Sequence, residues 1–398
     1  MKKLAIDGGK PLRPKGFPER FPYDKRELDI ITNIMKLSIK TGIPFRYNDK
    51  YSKIYEKKFI KFMNGGFCNL VNSGTNALLA SIASLKLKTK SDILVPCLTD
   101  VGCVTPIIIL GFKPIPVDIS KKNFNVSLDE IKKKITKNTS AVIVAHIGGE
   151  VTDIDKISKY LKSKKIKLIE DCSQSHGAMY KKNKVGTFGD ISFFSTMSSK
   201  LHTTGGTGGV IFSRYKNLIH NSKLFSDRGK YFKNSKFTGK YISTGLNLTI
   251  DELSSAIGTI QLDKLSLTIK RTNFIGDYIK KKLIDNKSPS KISGQYKNTF
   301  NVYWFLRITL DLTKIKVSKK KYCEALKKEG LNLSEKYIYN PFYQKWIKDH
   351  KFKKKLKFPN YDQSLKKNYV IFIRENYNKK DVQDIIRIIK KVDNEFKK

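Results

Sequence analysis

One lysine of the chain stands in a context that favours covalent chemistry. Lys200 follows a stretch rich in small hydroxyl residues, 195–199, and precedes a loop with four glycines between positions 205 and 209. A single lysine among 79 basic residues carries little information by itself. A lysine sheltered between two buried strands, however, can have a lowered pKa, because burial disfavours its charged form and leaves a nucleophilic amine. We therefore interpret Lys200 as a candidate nucleophile.

Two further segments place polar groups directly after predicted strands. Ser73-Gly74-Thr75-Asn76 opens a predicted helix, where backbone N–H groups and the helix dipole suit a phosphate. The same residues also make an ordinary helix cap. Asp171 is either a turn former or a carboxylate that holds a cationic ring nitrogen. Because ligands of open α/β sheets bind outside the carboxyl ends of the strands, both segments are candidates for a binding site.

The elements that must position these residues are predicted from alternation along the chain. Between about residues 65 and 215, short β-rich runs alternate with amphipathic stretches, which predicts an α/β fold with a mostly parallel central sheet covered by helices. Beyond about residue 250 we expect a smaller α+β unit. The expected division is an N-terminal arm (1–30) that packs near this unit, a large α/β domain (31–262) and a small C-terminal α+β domain (263–398). The predicted strands are 67–72, 92–95, 113–119, 141–146, 165–170, 191–195, 209–213, 302–310 and 369–374. The predicted helices are 75–87, 103–110, 127–135, 153–163 with Asp153 as N-cap, 253–282, 320–329 and 380–392.

Composition excludes several classes of protein. The formal net charge is +44, but the lysines are spread along the whole chain, and arginine, the better reader of phosphates and bases, is scarce. We interpret this charge as decoration of solvated faces and expect no nucleic-acid partner. The apolar runs stay below the roughly 20 residues of a membrane span, and the first residues do not resemble a signal peptide. Five cysteines without a CxxC pair fit reduced thiols of a cytoplasmic protein and indicate no metal site.

Four ordered motifs resemble one protein family. The segments VNSGTNAL, IEDCSQSHGA, FGDISFFSTMSSKLHTTGGTGGVIF and GLNLTIDELSSAIGTIQLDKL follow one another as in the DegT/DnrJ/EryC1/StrS family of pyridoxal-phosphate-dependent sugar aminotransferases. The opening LAIDGGKPLR is similar to the N-terminal arm of that family. The resemblance covers nearly the whole chain and thins after about residue 290. It implies the type I fold of pyridoxal-phosphate-dependent transferases, with the cofactor in the large domain.

The resemblance also assigns roles to individual residues. Lys200 falls on the Schiff-base lysine, and Asp171 on the carboxylate that keeps the pyridine nitrogen protonated, so that the ring can act as an electron sink. Gln174 falls on the residue at the ring-oxygen side. Asn247 matches an asparagine that the neighbouring subunit supplies to the phosphate, which implies a homodimer with shared active sites. The alternative is that Asn247 merely caps the following helix; its side chain stays free if Thr249 caps that helix instead, with Glu252 completing a capping box. The phosphate cradle is matched by Gly74, Thr75, Asn76 and Ser195.

Several departures from the family pattern concern the substrate side of the site. Asp100 stands where many members have an aromatic residue that stacks on the cofactor ring, and Thr249 replaces an arginine. We take Asp100, His146 and Arg228 as tentative substrate-binding residues. His146 has a purely structural alternative, and Arg228 is either an anchor for a substrate phosphate or part of a surface salt bridge. His202 is interpreted as a loop residue, because the reactive lysine itself is present.

By resemblance, the expected reaction moves an amino group from an amino acid, glutamate, to a nucleotide-linked keto-sugar. The product would be an amino sugar for a cell-surface polysaccharide or a secondary metabolite. The alternatives are an aminotransferase for a cyclitol or another carbocyclic ketone, and a pyridoxal-phosphate-dependent sugar dehydratase. A remote alternative is a non-catalytic relative that binds the cofactor or nucleic acid. The joint presence of Lys200, Asp171 and Gln174 argues against this last alternative.

Overall fold

The computed structural model describes residues 3–233, 236–337, 340–347 and 356–398. The elements up to residue 213 are α1 (Lys25–Thr41), α2 (Lys50–Phe62), β1 (Phe67–Val71), α3 (Gly74–Ser84), β2 (Asp92–Pro96), α4 (Thr105–Ile109), β3 (Lys113–Val117), α5 (Leu128–Lys132), β4 (Thr139–Ala145), α6 (Ile154–Ser163), β5 (Lys167–Asp171), β6 (Met179–Tyr180), β7 (Asn183–Lys184), β8 (Ile191–Ser195) and β9 (Gly209–Ser213). They are followed by α7 (Lys216–Ser226), β10 (Lys230–Lys233), β11 (Lys236–Tyr241), α8 (Glu252–Asp285), β12 (Ser290–Lys291), β13 (Thr299–Phe300), β14 (Leu306–Leu310), α9 (Lys319–Lys328), β15 (Leu333–Ser334), α10 (Pro359–Lys367), β16 (Asn368–Ile371) and α11 (Lys379–Phe396).

The central sheet is mostly parallel, as predicted. Within the described residues it has seven strands in the order β1-β9-β8-β5-β4-β2-β3. Strand β9 runs antiparallel to both of its neighbours, and the remaining pairs are parallel. Strands β2 and β9 are buried along their full length, which explains why they read as continuous apolar runs rather than as alternating patterns. The carboxyl ends of β5 and β8 therefore point to one edge of the sheet.

A second, smaller sheet forms the C-terminal part of the structure. Its strands lie in the order β12-β14-β16-β15, and α9, α11 and the last turns of α8 pack with them around one apolar core. Helix α8 is 34 residues long, and it also contacts α1 and α2 near the large sheet. The expected domain boundary at residue 262 falls inside this helix, and the division into domains stays a prediction. Among the described residues, no helix has the length and apolar character that crossing a membrane requires.

The N-terminal arm is fastened to the smaller unit by charged groups. The buried carboxylate of Glu329 accepts hydrogen bonds from the backbone N–H groups of Ala5 (2.8 Å) and Leu12 (3.1 Å) and from Lys391 Nζ (2.6 Å). Arg13 pairs with Asp381 at 2.8 Å and with Asp384 on α11. The arm therefore packs where we expected it.

The strand expected from residue 302 and the side-chain cap expected at Asp153 were wrong. The strand predicted from residue 302 begins only at Leu306, because the preceding residues leave the small sheet: Val302 N donates to Gly149 O (3.1 Å), and Trp304 N donates to Gly148 O (3.3 Å). Asp153 precedes α6, but its carboxylate makes no cap. That carboxylate instead accepts a hydrogen bond from the Tyr180 hydroxyl (2.9 Å) and pairs with Lys156 (2.8 Å).

Candidate active site

The reactive-lysine candidate lies in a buried loop that follows β8. The loop closes on itself where Thr196 N donates to Gly208 O (2.9 Å) and Thr204 N donates to Thr196 O (3.0 Å). Lys200 is only 8% exposed, and its Nζ lies 4.0 Å from the centroid of the Trp304 ring. Burial lowers the pKa of Lys200, and the nearby charges of Asp171 and Asp100 oppose this effect only in part. Burial therefore makes this amine easier to deprotonate than an exposed lysine, which favours its use as a nucleophile.

Asp171 ends β5, and two donors orient its carboxylate. Ser173 N donates to Oδ1 (2.9 Å), and Cys103 Sγ donates to Oδ2 (3.3 Å). Burial raises the pKa of the Cys103 thiol well above its usual range, and the charge of Asp171 raises it further. The thiol therefore keeps its proton and acts as a donor. This arrangement fixes a carboxylate at the edge of the sheet near Lys200.

The proposed phosphate cradle brings the ends of β1 and β8 together. Gly74 is the first residue of α3, and a Cβ atom at this position would lie 2.7 Å from Ser195 Cβ. Only glycine allows so close an approach, so the first turn of α3 lies directly against Ser195. Asn76 is committed within the fold, because its backbone N–H donates to Ser73 Oγ (3.1 Å) and its side chain donates to Asn72 (2.7 Å).

The other side of the cradle is formed by a short turn that Asp100 caps. Asp100 Oδ1 accepts a hydrogen bond from Gly102 N (2.7 Å). A Cβ atom on Gly102 would lie 2.6 Å from Thr75 Oγ1, so this turn packs against the start of α3. Asp100 itself is exposed, and its charge acts on the amine of Lys200.

Gln174 connects the sheet edge to a group of aromatic residues. Its Oε1 accepts a hydrogen bond from Gly148 N (2.7 Å), and its Nε2 donates to the Tyr337 hydroxyl (2.6 Å). The Tyr337 ring lies 4.3 Å from the Phe305 ring and 6.2 Å, edge-on, from the Trp304 ring. Trp304, Phe305 and Tyr337, hereafter the aromatic wall, therefore stand beside Lys200.

Sequence reasoning missed Cys103, Trp304 and Tyr337. They belong to segments far apart in the chain and to no cofactor motif. Trp304 was the only one with a signal of its own, since it is one of two tryptophans. That signal does not indicate which lysine it would contact.

His146 is placed for a structural role. It is 1% exposed, and its Nδ1 accepts a hydrogen bond from Thr152 N (3.2 Å). Its Nε2 lies 3.3 Å from Glu170, whose carboxylate also accepts hydrogen bonds from three backbone N–H groups. A ligand atom of Cys172 lies within 4.8 Å of those of His146 and Glu170. These three groups could in principle bind a metal ion. The imidazole and the carboxylate, however, already use their polar atoms in hydrogen bonds within the fold.

Two more buried histidines lie close to the Lys200 loop. The rings of His176 and His202 are 5.7 Å apart, and the His202 ring is hydrogen-bonded to the Tyr55 hydroxyl. Burial lowers the pKa of His176 well below its usual range and that of His202 to about 3. Both imidazoles are therefore neutral. His202 belongs to the loop, as predicted, but it is completely buried.

Arg228 lies in a small cationic cluster outside this core. Its guanidinium donates to Asp227 Oδ1 (2.7 Å) and to the Tyr47 hydroxyl (2.6 Å), and Lys230 Nζ donates to the same hydroxyl (2.8 Å). The side chain of Arg228 is 39% exposed. It therefore has both a salt bridge and a surface on which an anion could bind.

Asn247 is exposed and lies on an extended segment before α8. Its Oδ1 accepts a hydrogen bond from Thr249 (3.0 Å). The predicted cap at Thr249 is wrong, because Asp251 caps α8 by accepting from Ser254 N (2.9 Å). Glu252 is no capping-box partner either: its carboxylate accepts backbone hydrogen bonds at the start of α2, from Asp49, Tyr51 and Ser52.

Taken together, these groups fit pyridoxal phosphate. Gly74 brings the first turn of α3 against Ser195 with no side chain between them, so both can contribute to one phosphate site. Asp171 offers a carboxylate for the ring nitrogen, and Lys200 offers a buried amine with a lowered pKa. The fold and the site define a pyridoxal-phosphate-dependent aminotransferase.

The chain belongs to the DegT/DnrJ/EryC1/StrS aminotransferase family, whose family model matches residues 39–390. It is 31% identical over 258 residues to a GDP-perosamine synthase of Escherichia coli O157:H7. The aligned region covers 65% of this chain and 69% of that protein. It is 30% identical over 213 residues to an L-glutamine:2-deoxy-scyllo-inosose aminotransferase of Micromonospora echinospora, covering 53% of this chain and 50% of that protein. An aminotransferase structure from Psychrobacter cryohalolentis superimposes with a TM-score of 0.87 at 18% identity, over 94% of this chain and 98% of that one.

The lowered pKa of Lys200 predicts how the apoprotein reacts with added pyridoxal phosphate. Only the neutral amine attacks an aldehyde, so the rate of bond formation at Lys200 should reach half of its maximum below the ordinary lysine pKa. Lys156 is a matched control, because pairing with Asp153 raises its pKa. Borohydride trapping across a pH series, read by peptide mass spectrometry, measures both lysines. Equal midpoints for the two lysines would contradict the prediction.

Proposed function

We propose that this enzyme transfers an amino group from an amino acid, glutamate, to a keto-sugar carried on a nucleotide. The observation that carries the proposal is the buried amine of Lys200, with its lowered pKa, beside Asp171 and the aromatic wall. The family to which the chain belongs supports the reaction type. The similarity of the chain to a GDP-perosamine synthase supports a nucleotide-linked sugar as acceptor.

Each residue of the site has a distinct task in this proposal. When bound, pyridoxal phosphate supplies an electron sink for the negative charge that develops at the donor's α-carbon. Lys200 Nζ carries the proton from that carbon and returns it as general acid, a task that its lowered pKa suits. Asp171 holds a proton on the ring nitrogen, and the first turn of α3 with Ser195 binds the phosphate. Gln174 fixes Tyr337, which helps the aromatic wall exclude water from Lys200.

The acceptor side of the site combines aromatic surface with cations. Trp304 provides an apolar face of the kind on which a sugar ring packs. Arg228 and Lys230 provide positive charge for the phosphates of a nucleotide, and Tyr47 holds both of them in place. Asp100, exposed at the opening, can accept hydrogen bonds from sugar hydroxyls. These features support a polar, anionic acceptor.

A cyclitol ketone is the second candidate acceptor. The similarity to an L-glutamine:2-deoxy-scyllo-inosose aminotransferase supports it. A cyclitol carries no phosphate, so it would not need Arg228 and Lys230. The two acceptors therefore differ in their dependence on this cationic cluster.

A product screen tests the proposed reaction. The holoenzyme is offered glutamate or glutamine together with a panel of nucleotide-linked keto-sugars and cyclitol ketones, and the products are read by mass spectrometry. We expect a product that carries an amino group in place of the keto oxygen, from a nucleotide-linked sugar. Arg228→Ala should raise the KM for that sugar and leave the KM for glutamate unchanged. Amination of the cyclitol alone, unaffected by Arg228→Ala, would contradict the proposal.

Replacement of Asp171 tests the role of its carboxylate. Asp171→Asn should remain folded, because the amide can still occupy the same space, but turnover should fall by about two orders of magnitude or more, since the ring nitrogen loses the charge that keeps it protonated. The loss should appear in kcat rather than in the KM for the donor. Thermal unfolding and cofactor absorbance serve as controls. Activity close to that of the wild type would remove Asp171 from the proposed site.

We further propose a homodimer in which the two subunits share each active site. The segment that carries Asn247 displays an unusual amount of apolar surface. Clustered exposed apolar residues mark interaction sites more often than scattered ones do. The large exposed side chains of this segment are Phe232, Phe237, Tyr241, Ile242 and Leu246.

Asn247 distinguishes a shared site from a site within one subunit. Leu248 O accepts a hydrogen bond from Asn72 N (2.9 Å), so the segment also runs close to the cradle of its own chain. In a mixing experiment, inactive Lys200→Ala subunits are combined with inactive Asn247→Trp subunits under proven exchange. Shared sites should restore part of the activity, because some hybrid dimers then contain one intact site. No recovery, or full activity in a verified monomer, would contradict sharing.

The proposed location is the cytoplasm, with no nucleic-acid partner. All five cysteines are buried and unpaired, which suits a reducing compartment. The lysines are spread along the whole chain and arginine is scarce, which supports small anionic substrates over a nucleic acid.

A further inference from the structure

The backbone of the Lys200 loop is held by donors from outside the central sheet. Arg20 donates from Nη1 to Ser198 O (2.9 Å) and from Nη2 to Leu201 O (3.2 Å). One guanidinium therefore binds the main chain on both sides of Lys200. Elsewhere in the loop, Trp304 Nε1 donates to Ser199 O (2.8 Å), and the Tyr23 hydroxyl donates to Gly205 O (3.0 Å).

Arg20 is itself fixed by the smaller unit. Its Nε lies 2.9 Å from Glu375, which follows β16, and the two side chains are 7% and 15% exposed. The arm is tied to the same place a second time, because Asn376 Nδ2 donates to Glu19 O (2.9 Å). A buried ion pair of this kind adds little net stability, but each of the three guanidinium nitrogens of Arg20 donates to a different group, which restrains its plane. Its geometry thus connects three parts of the chain, namely the arm, the smaller unit and the reactive loop.

We propose that Arg20 is a positioning residue that holds the Lys200 loop and so keeps Lys200 Nζ in place against Trp304. This inference rests on the proposed role of Lys200. A lysine has four rotatable side-chain bonds, so the position of its amine depends on a fixed backbone. One planar guanidinium binds one carbonyl group before Lys200 and one after it. No other residue type presents donors in such a fork.

Three variants test the inference. Arg20→Ala frees both carbonyl groups, and Arg20→Lys keeps the charge but offers one compact ammonium in place of the fork. Arg13→Ala is the matched control: it removes another arginine of the same arm, one that pairs with Asp381 and Asp384 and lies outside the Lys200 loop. Thermal unfolding of all three variants measures how far the arm alone contributes to stability.

The first readout is hydrogen exchange in the apoprotein. Exchange of the backbone N–H groups of residues 196–205 should quicken in Arg20→Ala and remain at the wild-type rate in Arg13→Ala. This measurement needs neither cofactor nor substrate. The two hypotheses can therefore fail separately. If borohydride trapping places the cofactor on another lysine, the proposed function is wrong, but the exchange measurement still tests whether Arg20 restrains the loop.

The second readout uses the loaded enzyme. In Arg20→Ala, kcat should fall by about 10- to 100-fold, as expected when a reacting group is misplaced by about 1 Å, while the KM for glutamate changes little. The pH midpoint of the cofactor absorbance should shift, and Arg20→Lys should recover part of both effects. If Arg20→Ala matches Arg13→Ala in exchange, kcat and pH midpoint, the inference is wrong. Should Arg20→Ala fail to fold, Glu375→Gln and Tyr23→Phe carry the same test, since each removes one support of the arm or loop.

Discussion

The site depends on one lysine amine that is buried at the edge of the central sheet, where its pKa is lowered. Burial is the larger influence on the pKa of Lys200, and the charges of Asp171 and Asp100 oppose it. The balance between burial and these charges matters, because a permanent ion pair with Asp171 would leave the lysine protonated and unable to attack a carbonyl group. The Trp304 ring at 4.0 Å covers the amine without offering a formal charge. The two neutral histidines nearby, His176 and His202, likewise add no charge.

The topology of the sheet explains how so many short segments meet at this amine. Strand β9 lies between β1 and β8 and runs against both, so the loop that carries Lys200 must return from β8 past the end of β1. That return brings Ser195 against Gly74, where no Cβ atom would fit. Strand β5 adds Asp171 from the next position in the sheet. The antiparallel position of β9 therefore brings the ends of β1 and β8 together beside the Lys200 loop.

Much of this site could be predicted because its residues follow strands that the sequence reveals. Lys200, Asp171 and Gly74 each stand at the end of a buried apolar run, within a motif whose residues are neighbours in the chain. Cys103, Trp304 and Tyr337 could not be predicted, since each reaches the site from a segment that has no local reason to be there. The errors at Asp153 and Thr249 have one cause. Short polar side chains near a helix start have several possible partners, and tertiary contacts decided between them.

The large positive charge of the chain plays a smaller part in the site than its size suggests. At physiological ionic strength, charges separated by more than about 8 Å are largely screened. Distant surface lysines therefore raise the encounter rate of an anionic substrate rather than its affinity once bound. In the proposed function, affinity for a substrate phosphate comes from cations in fixed positions, such as Arg228 and Lys230, which Tyr47 holds. A guanidinium that already shares Asp227 binds a second anion with less net gain, because its charge is partly compensated. In the proposed function, selectivity for the acceptor would then depend on how the aromatic wall and Asp100 fit the ring that carries the ketone, whereas the basic surface would attract every anionic ligand alike.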